Sequence, residues 1–297
     1  METMKILIGY DGSQCAESAL VDLKWAGLPP DVAAMVVSVS EEWIPAPASI
    51  GGVLTSFRID DLKEMKEATT LAESAKSIIN KIFPEWQVYV ETAIGSPANI
   101  LIWKAEEWEP DLIVVGSHGR TALGRFFFGS VSQKVLHAAD RSVRIARGKE
   151  KRPDVPVRLI VGVDGSKYAE SAVKAITNRH WPEGSEVRVV GAIGIFPPVA
   201  TEYMALEAGK WIAAENTRVK EAVEAAIRRL DGSGLGISSV VKEGDPKYLL
   251  CDQAEEMDAD CIFVGARGMG RIERLLLGSV SSAVTSRAHC SVEVIRD

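Results

Sequence analysis

A chain of 297 residues is long enough for about two domains of ordinary size. Its 46% hydrophobic and 25% charged residues are the composition of a protein that buries a core. The formal net charge of −7 counts against a general nucleic-acid or membrane-surface binder, since both partners are polyanions, and no apolar run approaches a bilayer span.

The chain opens with "METMKILIGYDGS", which runs straight into a β-rich stretch at 5–10, so no signal peptide is expected. Cys15, Cys251, Cys261 and Cys290 show no CxxC spacing, which fits thiols packed as small apolar groups in a reducing, cytoplasmic setting. Further β-rich runs stand at 33–40, 87–93, 111–115 and 143–147. Between them, 57–83 spaces Leu62, Met65, Leu71, Ile78, Ile79 and Ile82 close to helical periodicity. Ser96-Pro97 reads as a helix cap followed by proline at the first helical position. The second half repeats the plan, with strands expected near 158–163, 187–193, 237–242, 260–264 and 291–295 and a cap at Asp245-Pro246. Continuous apolar runs such as "DLIVVG" and "DCIFVG" are those of strands covered on both faces. Each half is therefore expected to be a five-stranded parallel α/β sandwich.

The two halves match in detail. "ILIGYDGS" (6–13) recurs as "LIVGVDGS" (159–166), an offset of 153. Gly95 recurs as Gly244, and "RFFFGSVSQKV" (125–135) as "RLLLGSVSSAV" (274–284), both at an offset of 149. The four-residue change falls before residue 95, and the long loop "EEWIPAPASIGG" (41–52) is the expected place. A period of about 150 residues is a duplicated domain, not a solenoid unit. The expected domains are 1–149 and 155–297, parted by the charged, proline-bearing "RGKEKRPDVP" (147–156).

Ligands of such sheets sit beyond the carboxyl ends of the strands, where strand order reverses. Three features converge there in each half: Asp11 or Asp164 followed by Gly-Ser, Gly116 or Gly265 after the fourth strand, and a helix opening at Gly129-Ser130 or Gly278-Ser279. Glycine admits close backbone approach, and a helix start offers N–H groups and a positive dipole end to phosphate. The hydroxyls of Ser130, Ser132, Ser279 and Ser281 are candidate further donors. A carboxylate repels phosphate, so Asp11 and Asp164 are assigned to ribose hydroxyls, base or a metal ion. The competing reading is plain turn chemistry; two copies at matched spacing, both ending Gly-Ser-Val-Ser, favour a site.

Other signatures do not fit. There is no GxxxxGK[ST] and no GxGxxG after a first strand, and "YDGSQC" is not the Ser-Gly-Gly-x-Asp-Ser loop of the ATP pyrophosphatases. His118 is matched by Arg267 in the second half, which argues against a required imidazole, and His137, His180 and His289 lack ligand spacing. Arg125 and Arg274 recur before the Gly-Ser, as phosphate clamps or surface ion pairs.

These residues resemble the universal stress protein family, twice over and across nearly the whole chain. Its nucleotide-binding subgroup carries Gly-x2-Gly-x9-Gly-Ser/Thr, matched by Gly116, Gly119, Gly129 and Ser130 and by Gly265, Gly268, Gly278 and Ser279. The resemblance implies two tandem Rossmann-like domains of the adenine nucleotide alpha hydrolase type, binding ATP or a related adenine nucleotide, with Mg²⁺ as a candidate bridge between phosphates. Base and ribose are then expected at Gly9, Tyr10, Asp11 and Val39, or Gly162, Val163, Asp164 and Ala192. Phosphates are expected at Gly116, His118, Gly119, Gly129, Ser130, Val131 and Ser132, or Gly265, Arg267, Gly268, Gly278, Ser279, Val280 and Ser281, with Val115 and Val264 leading into each set. "DRSVRIA" and "HCSVEVI" lack the proline often found before the family's last strand. The resemblance also implies that the halves pack as an intramolecular pseudo-dimer through their last strands, while pairing of whole chains stays open. No second acid, base or lysine that converges on this edge repeats in both halves, so a binding module for stress response or signalling leads over a slow ATPase or phosphotransferase, and over an interaction protein with vestigial sites.

Overall fold

The computed structural model describes residues 3–41, 59–119, 128–148, 155–194, 202–268 and 277–296. The segment "IPAPASIGG" at 44–52, Arg125 and Arg274 lie outside the described residues.

The first half runs β1 (Met4–Gly9), α1 (Gln14–Asp22), β2 (Val32–Ser40), α2 (Ile59–Ile82), β3 (Gln87–Ile94), α3 (Pro97–Trp108), β4 (Leu112–Gly116), α4 (Ser130–Ala138) and β5 (Ser142–Ala146). The second runs β6 (Arg158–Val163), α5 (Lys167–Thr177), β7 (Glu186–Ile193), α6 (Glu202–Leu230), β8 (Gly236–Glu243), α7 (Pro246–Glu256), β9 (Cys261–Gly265), α8 (Ser279–Arg287) and β10 (Ser291–Ile295). Every strand expected from sequence is present, with ends shifted by at most a residue or two.

The ten strands form one sheet in the order β3-β2-β1-β4-β5-β10-β9-β6-β7-β8. All pairs within each half are parallel, and the halves meet where β5 pairs antiparallel with β10, Arg144 opposite Glu293. The sheet is thus mixed, made of two parallel five-stranded halves. β4 and β9 are buried along their whole length, as their apolar runs predict. β3 and β8 stand at the ends of the order and are far more exposed. One apolar cluster continues through both halves, from Leu7 and Ile113 to Ile262 and Val294. Two more sit within one half each, except that Trp25 of the first half packs in the cluster of the second.

Order reverses between β1 and β4, and again between β6 and β9. This places each crevice between the strand ends that carry Asp11 and Gly116, or Asp164 and Gly265.

Candidate functional site

"DGS" after each first strand is a helix-launching turn. Gly12 and Gly165 adopt φ of 74° and 78°, where a side chain is strained. Asp11 Oδ1 accepts from the Ser13 N–H at 3.0 Å, and Asp164 Oδ1 from the Ser166 N–H at 3.0 Å. The two serine hydroxyls then cap α1 and α5, accepting from the N–H groups of Ala16 and Ala169 at 3.2 Å each. Turn chemistry alone accounts for the recurrence of this tripeptide. The second carboxylate oxygens point toward the glycine loops: a Cβ on Gly119 would stand 2.8 Å from Asp11 Oδ2, and one on Gly268 2.5 Å from Asp164 Oδ2.

The other motif glycines do not take positive φ. At Gly116, Gly129, Gly265 and Gly278 it is backbone packing that requires glycine. A Cβ on Gly116 would lie 3.2 Å from the carbonyl of Cys15, and one on Gly129 3.0 Å from Cα of His118. In the second half a Cβ on Gly265 would lie 2.6 Å from the carbonyl carbon of Tyr168, and one on Gly278 3.2 Å from the Ala266 carbonyl oxygen. The Gly129 N–H donates to Ser117 O and the Gly278 N–H to Ala266 O, both at 2.8 Å, which pins each helix start to its glycine loop.

The serines divide their work differently from the sequence expectation. Gly129 and Gly278 occupy the N-cap positions, and Ser130 and Ser279 are the first helical residues. The hydroxyls of Ser132 and Ser281 donate to the carbonyls of Gly116 and Gly265 at 2.6 Å and are buried. A hydroxyl has one proton to give, so these two are positioning groups and not ligand donors. Ser130 keeps an exposed side chain. With glycine at the cap, the first N–H groups of α4 and α8 have no intrahelical acceptor.

In the first half all of this opens into one cavity of about 480 Å³. Gly9, Tyr10, Asp11, Val39, Val115, Gly116, His118, Gly119, Gly129, Ser130, Val131 and Ser132 all line it, which is every candidate residue of that half. Leu71, Ala68, Leu101 and Pro97 make an apolar wall. Glu41, Glu64 and Glu67 also line it, so with Asp11 four carboxylates face the space; periodicity alone did not mark the glutamates. Burial, reinforced by Glu17 and Asp11, pushes the Tyr10 phenol up, so it stays protonated.

His118 is fastened on both ring nitrogens, with Cys15 Sγ at 2.9 Å from Nε2 and Ser117 Oγ at 3.0 Å from Nδ1. Burial pushes the Cys15 thiol up against the lowering effect of Ser117. The proton therefore stays on sulfur, and the thiol and the Ser117 hydroxyl hold the imidazole from both sides.

The second half brings Gly162, Val163 and Asp164 to the end of β6, and Val264, Gly265, Arg267 and Gly268 to the end of β9. Gly278, Ser279, Val280 and Ser281 open α8 beside them, and Ala192 lies on β7. Its crevice has different side chains. Arg267 Nη1 donates to the Tyr168 hydroxyl at 3.1 Å, with the guanidinium 5.4 Å from the ring centre. Arg218 stands over Gly165, where Leu71 stands over Gly12. It donates to the Asp164 carbonyl and pairs with Glu215.

Among the described residues no group of three or more His, Cys, Asp or Glu is arranged to hold a metal ion. None of the four cysteines is in a disulfide, and Cys251, Cys261 and Cys290 are buried. No described helix is long and apolar enough to cross a membrane.

A sequence model of the universal stress protein family matches residues 2–147 and 157–296. A universal stress protein of Mycolicibacterium smegmatis is 26% identical over 310 aligned residues, covering 98% of this chain and 96% of the relative. A universal stress protein of Mycobacterium tuberculosis strain H37Rv is 26% identical over 305 residues, with the same coverage. The crystal structure of a universal stress protein from Archaeoglobus fulgidus shares the fold across 98% of this chain and 96% of its own, with a TM-score of 0.58 at 20% identity. The repeated sequence, the paired five-stranded sheets and the two family matches place this chain in the universal stress protein family, as a tandem of two Rossmann-like copies.

Proposed function

We propose that the protein is an adenine-nucleotide-binding module of the stress response, with ATP or a related adenine nucleotide held at the strand ends of each half. The observation that carries this reading is that the three segments expected from sequence, with Val39, meet at one cavity at the point of strand reversal. Its parts suit the two ends of a nucleotide. The N–H groups opening α4 and the Ser130 hydroxyl are donors for phosphate oxygens. The apolar wall of Leu71, Ala68 and Leu101 suits a base, and the carboxylates of Asp11, Glu64 and Glu67 suit ribose hydroxyls or a phosphate-bound divalent cation. His118, held by Cys15 and Ser117, positions the loop beside the phosphate seat.

The second half repeats the backbone cradle, with Arg267 and Arg218 adding positive charge beside it. Calorimetric titration of the purified protein with ATP, with and without Mg²⁺, tests the reading, and stoichiometry should approach two per chain. Nucleotide released from freshly purified protein identifies the form carried, whether ATP, AMP or cyclic AMP. Single-turnover hydrolysis separates a binding module from a slow ATPase. Absence of binding by any adenine nucleotide sinks the proposal and leaves the glycine loops as turns.

A further inference from the structure

The pairing of the halves centres on one residue pair. The β5–β10 register sets Val143 opposite Val294, Arg144 opposite Glu293 and Ile145 opposite Val292. The repeat offset of 149 makes Val143, Arg144 and Ile145 the counterparts of Val292, Glu293 and Val294 (143 + 149 = 292, and so on). The pseudo-two-fold axis that relates the halves therefore passes between Arg144 and Glu293. They are the one position of this register that faces its own counterpart.

Both side chains are sealed from solvent, Arg144 at 1% and Glu293 at 0% exposure. Arg144 Nη1 lies 3.0 Å from Glu293 Oε2, and Arg144 Nε lies 2.8 Å from Asp22 Oδ2 on α1. Glu293 Oε1 pairs in turn with Arg179, which follows α5. The order across the junction is Asp22, Arg144, Glu293, Arg179, with charges alternating −, +, −, +. Each half contributes one acid and one base to this row of four, but the first presents a guanidinium to the axis and the second a carboxylate. Half-one counterparts of Arg179 and half-two counterparts of Asp22, at an offset of 153, are Ala26 and Ala175. Neither half carries a copy of the other's flanking charge.

We infer that this pair makes the junction a lock for unlike halves: the β5 surface accepts β10 and rejects a second β5, and the reverse. A junction of two first halves sets Arg144 against Arg144, and one of two second halves sets Glu293 against Glu293. Each loses the cross-axis ion pair and places like charges together away from water. Discrimination then comes from a repulsive element as well as an attractive one. The occupant that fits β5 is the second half, from the same chain or from another copy. Pairing of two whole chains cannot use these strands in like-with-like fashion.

The test uses the full chain with a protease site placed between residues 149 and 154. The folded protein is cut there, allowed to re-equilibrate at micromolar concentration, and weighed by native mass spectrometry. The three dimers of halves differ in mass. Mixed dimers in at least about tenfold excess over like dimers are expected, with that ratio falling about tenfold or more in the Glu293→Gln protein. If Glu293→Gln does not fold, Arg144→Met removes the opposite pole and takes its place. A statistical mixture from the unsubstituted protein overturns the inference. So does an unchanged ratio in the variant, or halves that stay apart at every concentration.

Discussion

Cys15 Sγ lies 2.9 Å from His118 Nε2, and the residues at the corresponding positions of the second half, Tyr168 and Arg267, also touch, at 3.1 Å. The offsets make the correspondence direct: 15 + 153 = 168 and 118 + 149 = 267. Two unlike pairs thus do the same job of tying the glycine loop to the first turn of the first helix.

Cys15 is the single partly exposed thiol, the other three being buried. Native protein should therefore yield one thiol to an aromatic disulfide reagent, and unfolded protein four. Because burial raises its pKa, the Cys15 rate at pH 7 should fall below that of an unperturbed thiol and climb with pH beyond the ordinary range near 8.5–9. Rapid reaction at pH 7 would contradict the protonated Cys15–His118 pair.

The serines should separate cleanly. Ser130→Ala removes an exposed hydroxyl at the phosphate seat, so nucleotide affinity in the first half should fall roughly tenfold, equivalent to about 1.4 kcal/mol, with thermal stability unchanged. Ser132→Ala leaves the Gly116 carbonyl without its donor and should cost about 1–2 kcal/mol of stability. Ser279→Ala and Ser281→Ala should repeat the contrast in the second half. Titration and melting of the four variants check it; equal melting losses at 130 and 132 would refute the division.

Substitutions at the glycines should rank by what their side chains meet. Gly129→Val drives into the backbone of His118, which cannot move without moving the loop, so about 1–3 kcal/mol of stability should go together with nucleotide binding. Gly119→Ala meets only the end of the Asp11 carboxylate, which can rotate. Its stability loss should stay below about 1 kcal/mol. Denaturant unfolding of both variants measures the order, and the reverse order would show the loops packed otherwise.

How much of this was legible beforehand depends on distance along the chain. Strands such as "DLIVV" and "DCIFV" announce themselves because burial on both faces leaves no polar alternation. The Gly-Ser helix starts were legible because their spacing recurs. The use of the Ser132 hydroxyl was not, since it depends on how closely α4 returns to the Gly116 carbonyl, sixteen residues back. Cys15 and His118 are 103 residues apart, and nothing local in either segment signals the contact. A comparison of unlike residues at matched offsets, rather than like ones, is the signal that finds it. The same comparison exposes Arg144 and Glu293, which a search for identities passes over.

The junction should also set the acid limit of stability. Burial pushes the Glu293 carboxyl up, but Arg179 and Arg144 outweigh it and hold it below the usual carboxylate range. The groups facing it are Arg144 from β5 and Arg179 beyond α5; Cys261 of β9 shares the Arg144 Nη1 with it, and Asp22 of α1 sits at the Arg144 Nε. A depressed folded pKa gives stability that is full above the unfolded value near 4.3 and drains as pH falls through the folded one. Chemical denaturation between pH 3 and 7 should show this slope, and Glu293→Gln should flatten it while lowering stability at pH 7 by about 3–5 kcal/mol. An unchanged slope in the variant would remove Glu293 as its source.

The antiparallel seam between β5 and β10 has one more consequence. Strands point one way in the first half and the opposite way in the second, so the two crevices open at opposite ends of the sheet. One small molecule in either mouth therefore does not reach the other. Within the sheet, the path from one crevice to the other runs through the seam, by way of the strands that Arg144 and Glu293 hold in register.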